Sequence, residues 1–342
     1  MIKIDNNTEF ELDEIAISHY HHLIIPVTND GNFHRTRSLI GRIQARRDLD
    51  NHVIDRFNFW NYFLDNNFSN LKRVIVSRPD DLHKIIEEIK DLFGESFLSL
   101  DNGYCNTQLT EFGNIVKEVF SYENYRNTNL PANHFDSINI NYCTYCNKNE
   151  VQNINVTNDH ATDFEVRMRL YQLDHFYPRS RHPYLSLSFF NLIPGCSTCN
   201  AQLKGEKKFS FDTHFNPFDK SFDDYFYFTL STIIPEKKNE IEISLKNKIN
   251  YPRNTIQDFR ILKRYNQGAA IDILFEMITF LRNRSDKIQK SYLNQIRGLF
   301  GFLEHSNNEV LRSQGIPLEA KLINKKQLGK LKRDVCLQLE II

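Results

Sequence analysis

The reading turns on one stretch: C-T-Y-C at 143–146, Y-Q-L-D-H-F-Y-P at 171–178, and F-F-N-L-I-P-G-C-S-T-C-N at 189–200, with Lys204 just beyond. Two Cys-x-x-Cys pairs bracket an Asp-His pair and an asparagine. A Cys-x-x-Cys turn sets two sulfurs on one side of a knuckle, which is half of a tetrahedron. Two such knuckles, Cys143 with Cys146 and Cys196 with Cys199, complete a four-cysteine zinc site. The alternative is separate redox or core cysteines, but both pairs sit in turn-rich sequence and not in a thioredoxin-like setting. Structural zinc supplies on the order of 10 kcal/mol of apparent folding energy, which suits a segment too short to have its own core.

Working outward, the 342 residues carry 43 basic and 43 acidic side chains, so the formal net charge is zero. A protein that coats nucleic acid without discrimination is usually strongly basic, so any contact with nucleic acid is expected to be local. Aromatic residues make up 13% of the chain, mostly Phe and Tyr, and are read as core packing before base stacking. The acidic N-terminus has no apolar run of the signal-peptide kind, and no segment is long and apolar enough to span a membrane. A cytoplasmic location is therefore expected, where paired cysteines favour metal over disulfide. Cys105 and Cys336 are read as small buried apolar residues.

The flanks read as mainly helical. Residues 15–27 are ambiguous between helix and strand. Residues 35–64 have helical apolar spacing and contain the basic run R-I-Q-A-R-R at 42–47, a solvated face or a phosphate contact. A short strand is expected at 71–76. A helix over 77–93 starts with Pro79 in its first turn and Asp80 and Asp81 at its positive end. Another helix is expected over 108–120, and a polar connection containing Pro131 over 127–141. Beyond the central stretch, 225–230 and 241–249 read as a β-hairpin. Helices near 255–265, 269–283, 289–304 and 326–340 follow. Three regions are expected: 1–135, mainly helical; 136–215, the metal-bearing core; and 216–342, a hairpin plus helices.

Asp174 and His175 sit at the end of a short predicted strand. Neighbours on a strand point to opposite faces, so the two act together only if a metal approaches from the strand end. Asp174 offers an oxygen to a hard divalent ion such as Mg2+ or Mn2+. His175 is the natural base at neutral pH. A second Asp-His pair, Asp159 and His160, reads as a surface turn. Asn191, on a second short strand, can bridge backbone groups and hold the loop that follows His175. Asn200 opens a helix, and its carbonyl oxygen is a candidate second metal ligand. Lys204 lies four residues on, on the same face. From 176 to 208, Arg179, Arg181, Lys204, Lys207 and Lys208 face a single acid, Glu206, making the site modestly basic. Arg179, Arg181 and Lys204 are the candidate phosphate contacts.

The order Cys-x-x-Cys, Asp-His, Asn, Cys-x-x-Cys-Asn, Lys resembles the HNH endonuclease family over roughly 140–210. The resemblance implies an α+β fold: a small ββα-metal core with a four-cysteine zinc site, between mainly helical N- and C-terminal regions. It implies that His175 is the general base, Asp174 the acidic metal ligand, Asn191 the residue that orients the base loop, and Asn200 a metal ligand. The last is His in many members, which leaves His214 as a rival ligand. More loosely, F-S-Y-E at 120–123 and L-K-R-D at 331–334 resemble HNH proteins of bacterial anti-phage defence, often encoded beside an ATPase. DNA cleavage controlled by a partner protein is thus expected. An RNA-cleaving toxin and a non-catalytic zinc module remain alternatives, and the flanking helices are candidates for oligomer assembly.

Overall fold

The structure is a computed structural model. It describes all residues except 1–2, 5–8, 26, 102, 104, 106, 157–165, 233–234, 288–307, 310 and 341. The pair Asp159–His160 and the helix expected at 289–304 lie outside the described residues. The fold is mixed α+β, with many helices and small two-stranded antiparallel sheets. Two compact units form. The larger contains 3–140 and 151–219; the smaller contains 141–150 and 220–342. Among the described residues, no helix is long and apolar enough to cross a membrane.

In the larger unit, helices α1 (Glu9–Ile24), α2 (Leu39–Leu49), α3 (Ile54–Val76) and α4 (Pro79–Phe93) precede a small hairpin, β1 (Ser99–Asp101) with β2 (Thr107–Leu109). The core is aromatic. Phe59 meets Trp60, Phe63 and Phe112 edge-on at 5.2–5.3 Å between centroids, a favoured geometry for ring quadrupoles. The basic run of α2 is internally satisfied: Arg42 Nε donates to the Val119 carbonyl, and Arg46 pairs with Asp50.

The strand expected at 71–76 is instead the second half of α3. Leu71, Val74 and Ile75 are fully buried on a helical i, i+3, i+4 stripe, so packing overrides the β-branched character of that run. The helix is kinked: Asn66, Asn67 and Phe68 take left-handed φ of 50°, 55° and 62°, and Asn70 Nδ2 reaches back to the Tyr62 carbonyl at 3.0 Å. The polar connection at 127–141 holds a helix, α7 (Leu130–Ile138), because Pro131 sits in the first turn, where no amide hydrogen is needed. It follows α5 (Glu111–Val119) and α6 (Tyr122–Arg126). Thr110 caps α5 by accepting from Gly113 N; a Cβ on Gly113 would lie 1.9 Å from the Leu98 carbonyl oxygen, so only glycine fits there.

A second hairpin, β3 (Asn153–Val156) with β4 (Val166–Arg169), leads into β5 (Gln172–His175), which pairs with β6 (Leu192–Gly195). A π-helix, Thr198–Lys204, follows and ends at Gly205, which takes φ 53°. In the smaller unit, β7 (Phe226–Leu230) pairs with β8 (Ile243–Asn247), as the period-two spacing predicts. The C-terminal helix Gly329–Gln338 buries Leu331 and Val335, and Asp334 accepts from Phe228 N of β7 at 2.8 Å.

Candidate functional site

Strand β5 meets β6 with Asp174 opposite Ile193 and His175 opposite Leu192. His175 is the last residue of the strand, so both side chains reach one cleft despite the alternation of faces. The cleft has a volume of about 650 Å3. The loop between the strands is closed by Asn191, which is fully buried. Its Oδ1 accepts from Tyr177 N at 2.7 Å, and its Nδ2 donates to the Tyr177 and Leu185 carbonyls at 3.2 and 3.0 Å. One amide thus ties both ends of the loop with three bonds.

The same loop presents the Ser186 carbonyl to His175 Nε2 at 3.0 Å. A carbonyl only accepts, so Nε2 carries the proton and Nδ1 is left with a lone pair. Burial, then the Arg179 guanidinium, push the imidazole down to about 3, and His175 is neutral. Its ring is packed edge-on against Tyr122 of α6, 4.6 Å between centroids. A neutral imidazole with a fixed tautomer and an open Nδ1 is able to accept a proton there.

The Asp174 carboxylate is buried, with 3% of its side chain exposed, and Lys204 Nζ lies 2.7 Å from Oδ1. Lys204, 1% exposed at its side chain, also donates to the His175 carbonyl at 2.5 Å and lies 5.0 Å from the centre of the Phe209 ring. Burial depresses the Lys204 ammonium, and Asp174 works against that shift. One residue-pair up the strand, Gln172 Oε1 accepts from Asn200 Nδ2 at 2.9 Å. Gln172 and Asp174 share one face of β5, while Asn200 and Lys204 are four apart on the π-helix. Two polar rungs therefore join strand and helix, and all four residues line the cleft.

The sequence-derived phosphate contacts separate. Arg179 lines the cleft but is held by Glu123 at 2.7 Å, with its guanidinium 5.4 Å from the centre of the Tyr122 ring. Arg181 is not among the cleft residues; it is buried, bound to Asp101 at 2.6 Å and to the Gly103 carbonyl. Hydrogen bonding from Arg181 holds the Asp101 carboxyl well below the usual range. Lys204 is turned inward onto Asp174. His214 is buried, stacked on Phe209 at 3.7 Å, and is not among the cleft residues.

Sequence reading missed Tyr122, which backs His175, and Gln172, which seats Asn200. The only signal for Gln172 is its position two residues before Asp174 on a strand.

The four cysteines Cys143, Cys146, Cys196 and Cys199 come together. Their sulfurs all lie within 4.8 Å of one another, and all four residues are buried. Tetrahedral zinc with bonds of about 2.3 Å sets its sulfurs about 3.8 Å apart. The donors therefore fit a metal ion such as zinc, and none is in a disulfide. The first knuckle is shaped by backbone bonds: Asn147 N donates to the Cys143 carbonyl at 2.7 Å, and Asn147 takes a left-handed φ of 48°. The Asn147 side chain, which the cysteine spacing does not single out, donates to the Ile323 carbonyl at 3.0 Å and accepts from Lys330 N at 3.1 Å. Cys336 is buried as expected, whereas Cys105 is exposed, since it lies in the polar turn between β1 and β2.

Comparison of the chain with family models, with curated proteins and with solved structures found no match.

Proposed function

We propose that the chain is a metal-dependent endonuclease of the HNH type that hydrolyses phosphodiester bonds in DNA. The observation carrying this reading is one cleft wall that offers a carboxylate, Asp174, beside a neutral imidazole, His175, whose Nδ1 is left open by the bond from Nε2 to Ser186. A strand, a braced loop, a second strand and a helix deliver these groups in the order that the HNH resemblance implies.

In this mechanism Nδ1 of His175 takes a proton from the attacking water. The Ser186 carbonyl holds the tautomer and stabilises the imidazolium that results. Asn191 fixes the loop and so keeps that carbonyl in place. Asp174 and Asn200 would hold the divalent ion, Mg2+ or Mn2+, which supplies charge stabilisation at the phosphate. Lys204 keeps the Asp174 carboxylate neutralised when no divalent ion is bound. The four cysteines would hold zinc as a structural clip, because four thiolates leave no open coordination position.

Incubation of the purified chain with plasmid and Mg2+ or Mn2+, beside a parallel digestion of RNA, tests the reading; metal-dependent nicking of DNA is expected. Cutting of RNA alone moves the proposal to an RNA-directed toxin. One observation favours a second reading, a non-catalytic zinc module that binds nucleic acid or protein. The Asp174 charge is already balanced by Lys204, so the carboxylate has no need of a metal. No cleavage of either polymer by zinc-loaded protein selects that reading. The resemblance to defence nucleases further implies restraint by a partner protein, an ATPase in that group. Co-purification from the native host tests it, and recovery of the chain alone with unrestrained cleavage contradicts it.

A further inference from the structure

We infer that the Asp174 cleft is one half of a track for a phosphodiester strand, whose backbone is gripped by Lys117, Arg126 and Arg169. This inference deepens the nuclease reading and rests on it. It moves the phosphate contacts away from residues 176–208 and onto two helices and a hairpin that precede them in the chain.

The other cations in and beside the cleft are already paired. Arg181 is bound to Asp101, Lys204 to Asp174, and Arg179 to Glu123. Each carries its own counter-charge, so none adds net attraction for an anion. Lys117 on α5, Arg126 at the end of α6 and Arg169 at the end of β4 line the same cleft. Their charges are hardly cancelled. The carboxylate of Glu123 lies 4.0 Å from Arg126, with Arg126 61% exposed at its side chain. Among the described residues, no carboxylate comes within ion-pair distance of Lys117 or Arg169. Arg169 NH2 donates to the Arg126 backbone carbonyl at 2.7 Å, which holds the two arginines together and, being a bond to a neutral carbonyl, cancels no charge.

A neighbouring depression of about 180 Å3 shares Lys117, Tyr122 and Arg179 with the cleft. The two hollows are thus one groove, divided by Tyr122 and Arg179. Cations spread over three elements along a divided groove suit a repeating backbone of phosphates. A single phosphate group would call for donors converging on one point. A zero-net-charge chain that handles nucleic acid needs such a local strip, because its overall field gives no attraction. Contacts of this kind hold any strand and read no sequence.

The test measures anisotropy of labelled single-stranded DNA, duplex DNA and RNA against salt, with no added divalent ion, so that binding is read apart from cleavage. The variants are Lys117→Ala, Arg126→Ala, Arg169→Ala and the triple, with Lys246→Ala, an exposed lysine of β8, as the charge-matched control. Melting curves establish that each is folded. For whichever polymer the wild type binds, each track substitution should flatten the salt dependence by about one unit on a duplex, or about 0.7 on a single strand, and the control should not. The triple should lose most of the salt-sensitive affinity. Unchanged affinity and slope in the triple, a control as damaging as the track variants, a mononucleotide that binds as tightly as a strand, or no strand binding by the wild type each overturn the track. Failure of the nuclease reading looks different: strands bound through these three residues and never cut.

Discussion

The four-cysteine cluster and the Asp174 cleft are both built on short turns and strands, but they hold their polar groups in opposite ways. The cysteines come from two knuckles, and each knuckle places its own two sulfurs. The donor set is uniform, buried and fully made of thiols. In the cleft, Asp174 and His175 are neighbours in sequence, yet each is set by a residue far along the chain. Lys204 reaches Asp174 from 30 residues away, Ser186 reaches His175 from 11, and Glu123 reaches Arg179 from 56. Each knuckle taken by itself is local and needs only the right spacing. A site whose geometry is borrowed needs the fold.

The largest expected effect lies on the cysteine side. Cys143→Ser should lose bound metal and, with it, a share of the order of 10 kcal/mol that structural zinc lends to folding. Metal analysis and melting check this together. A Cys143→Ser protein with one zinc per chain and normal melting would place the clip elsewhere and undo the contrast.

On the cleft side, Lys204→Met leaves Asp174 buried without its cation and should destabilise the fold by about 3–5 kcal/mol. Mn2+ should then raise the melting temperature of this variant more than that of the wild type, because Lys204 no longer competes with it for the carboxylate. An equal response in the two proteins would separate Asp174 from divalent metal binding.

Next comes the support of the loop. His19 of α1 donates from Nε2 to the Leu187 carbonyl at 2.8 Å, and burial lowers the imidazole to about 4 from a usual 6.5. The unfolded chain therefore takes up this proton before the folded one does. Stability from this group is complete above about 6.5 and is lost as pH falls through about 4, by about 3 kcal/mol at most. Urea unfolding across that window should show a limb that His19→Gln, which keeps a donor, flattens; an identical limb in both proteins would remove His19 as its source. Smaller still, Asn191→Ala strands three backbone groups of the loop and should cost about 1–3 kcal/mol, with no loss of bound zinc. Loss of zinc in Asn191→Ala would show that the two regions are not independent.

Legibility in the sequence follows the same division. The two cysteine pairs, the strands on either side of the loop and the start of α4 at Pro79 were readable from spacing, turn residues and caps. The run at 71–76 reads as a strand because β-branched residues suit one, and burial of Leu71, Val74 and Ile75 sets a helical period instead. Residues 127–141 read as a polar connection, whereas Pro131 serves the first turn of α7. Lys204 reads as a phosphate contact in the sequence because spacing along the chain carries no information on which carboxylate it meets, and in the fold it meets Asp174. Tyr122, Lys117, Arg126 and Arg169 were out of reach for the same reason: each belongs to the cleft only once α5, α6 and the β3–β4 hairpin are folded beside β5.

The central claim is that His175 supplies the base and the cysteines only the scaffold. Plasmid nicking by wild type and by His175→Ala, in Mn2+ and with zinc content measured on both, tests it most directly. The account predicts that the variant keeps its zinc and its fold and cuts at least about a hundredfold more slowly. A His175→Ala protein that cuts as fast as wild type would contradict it.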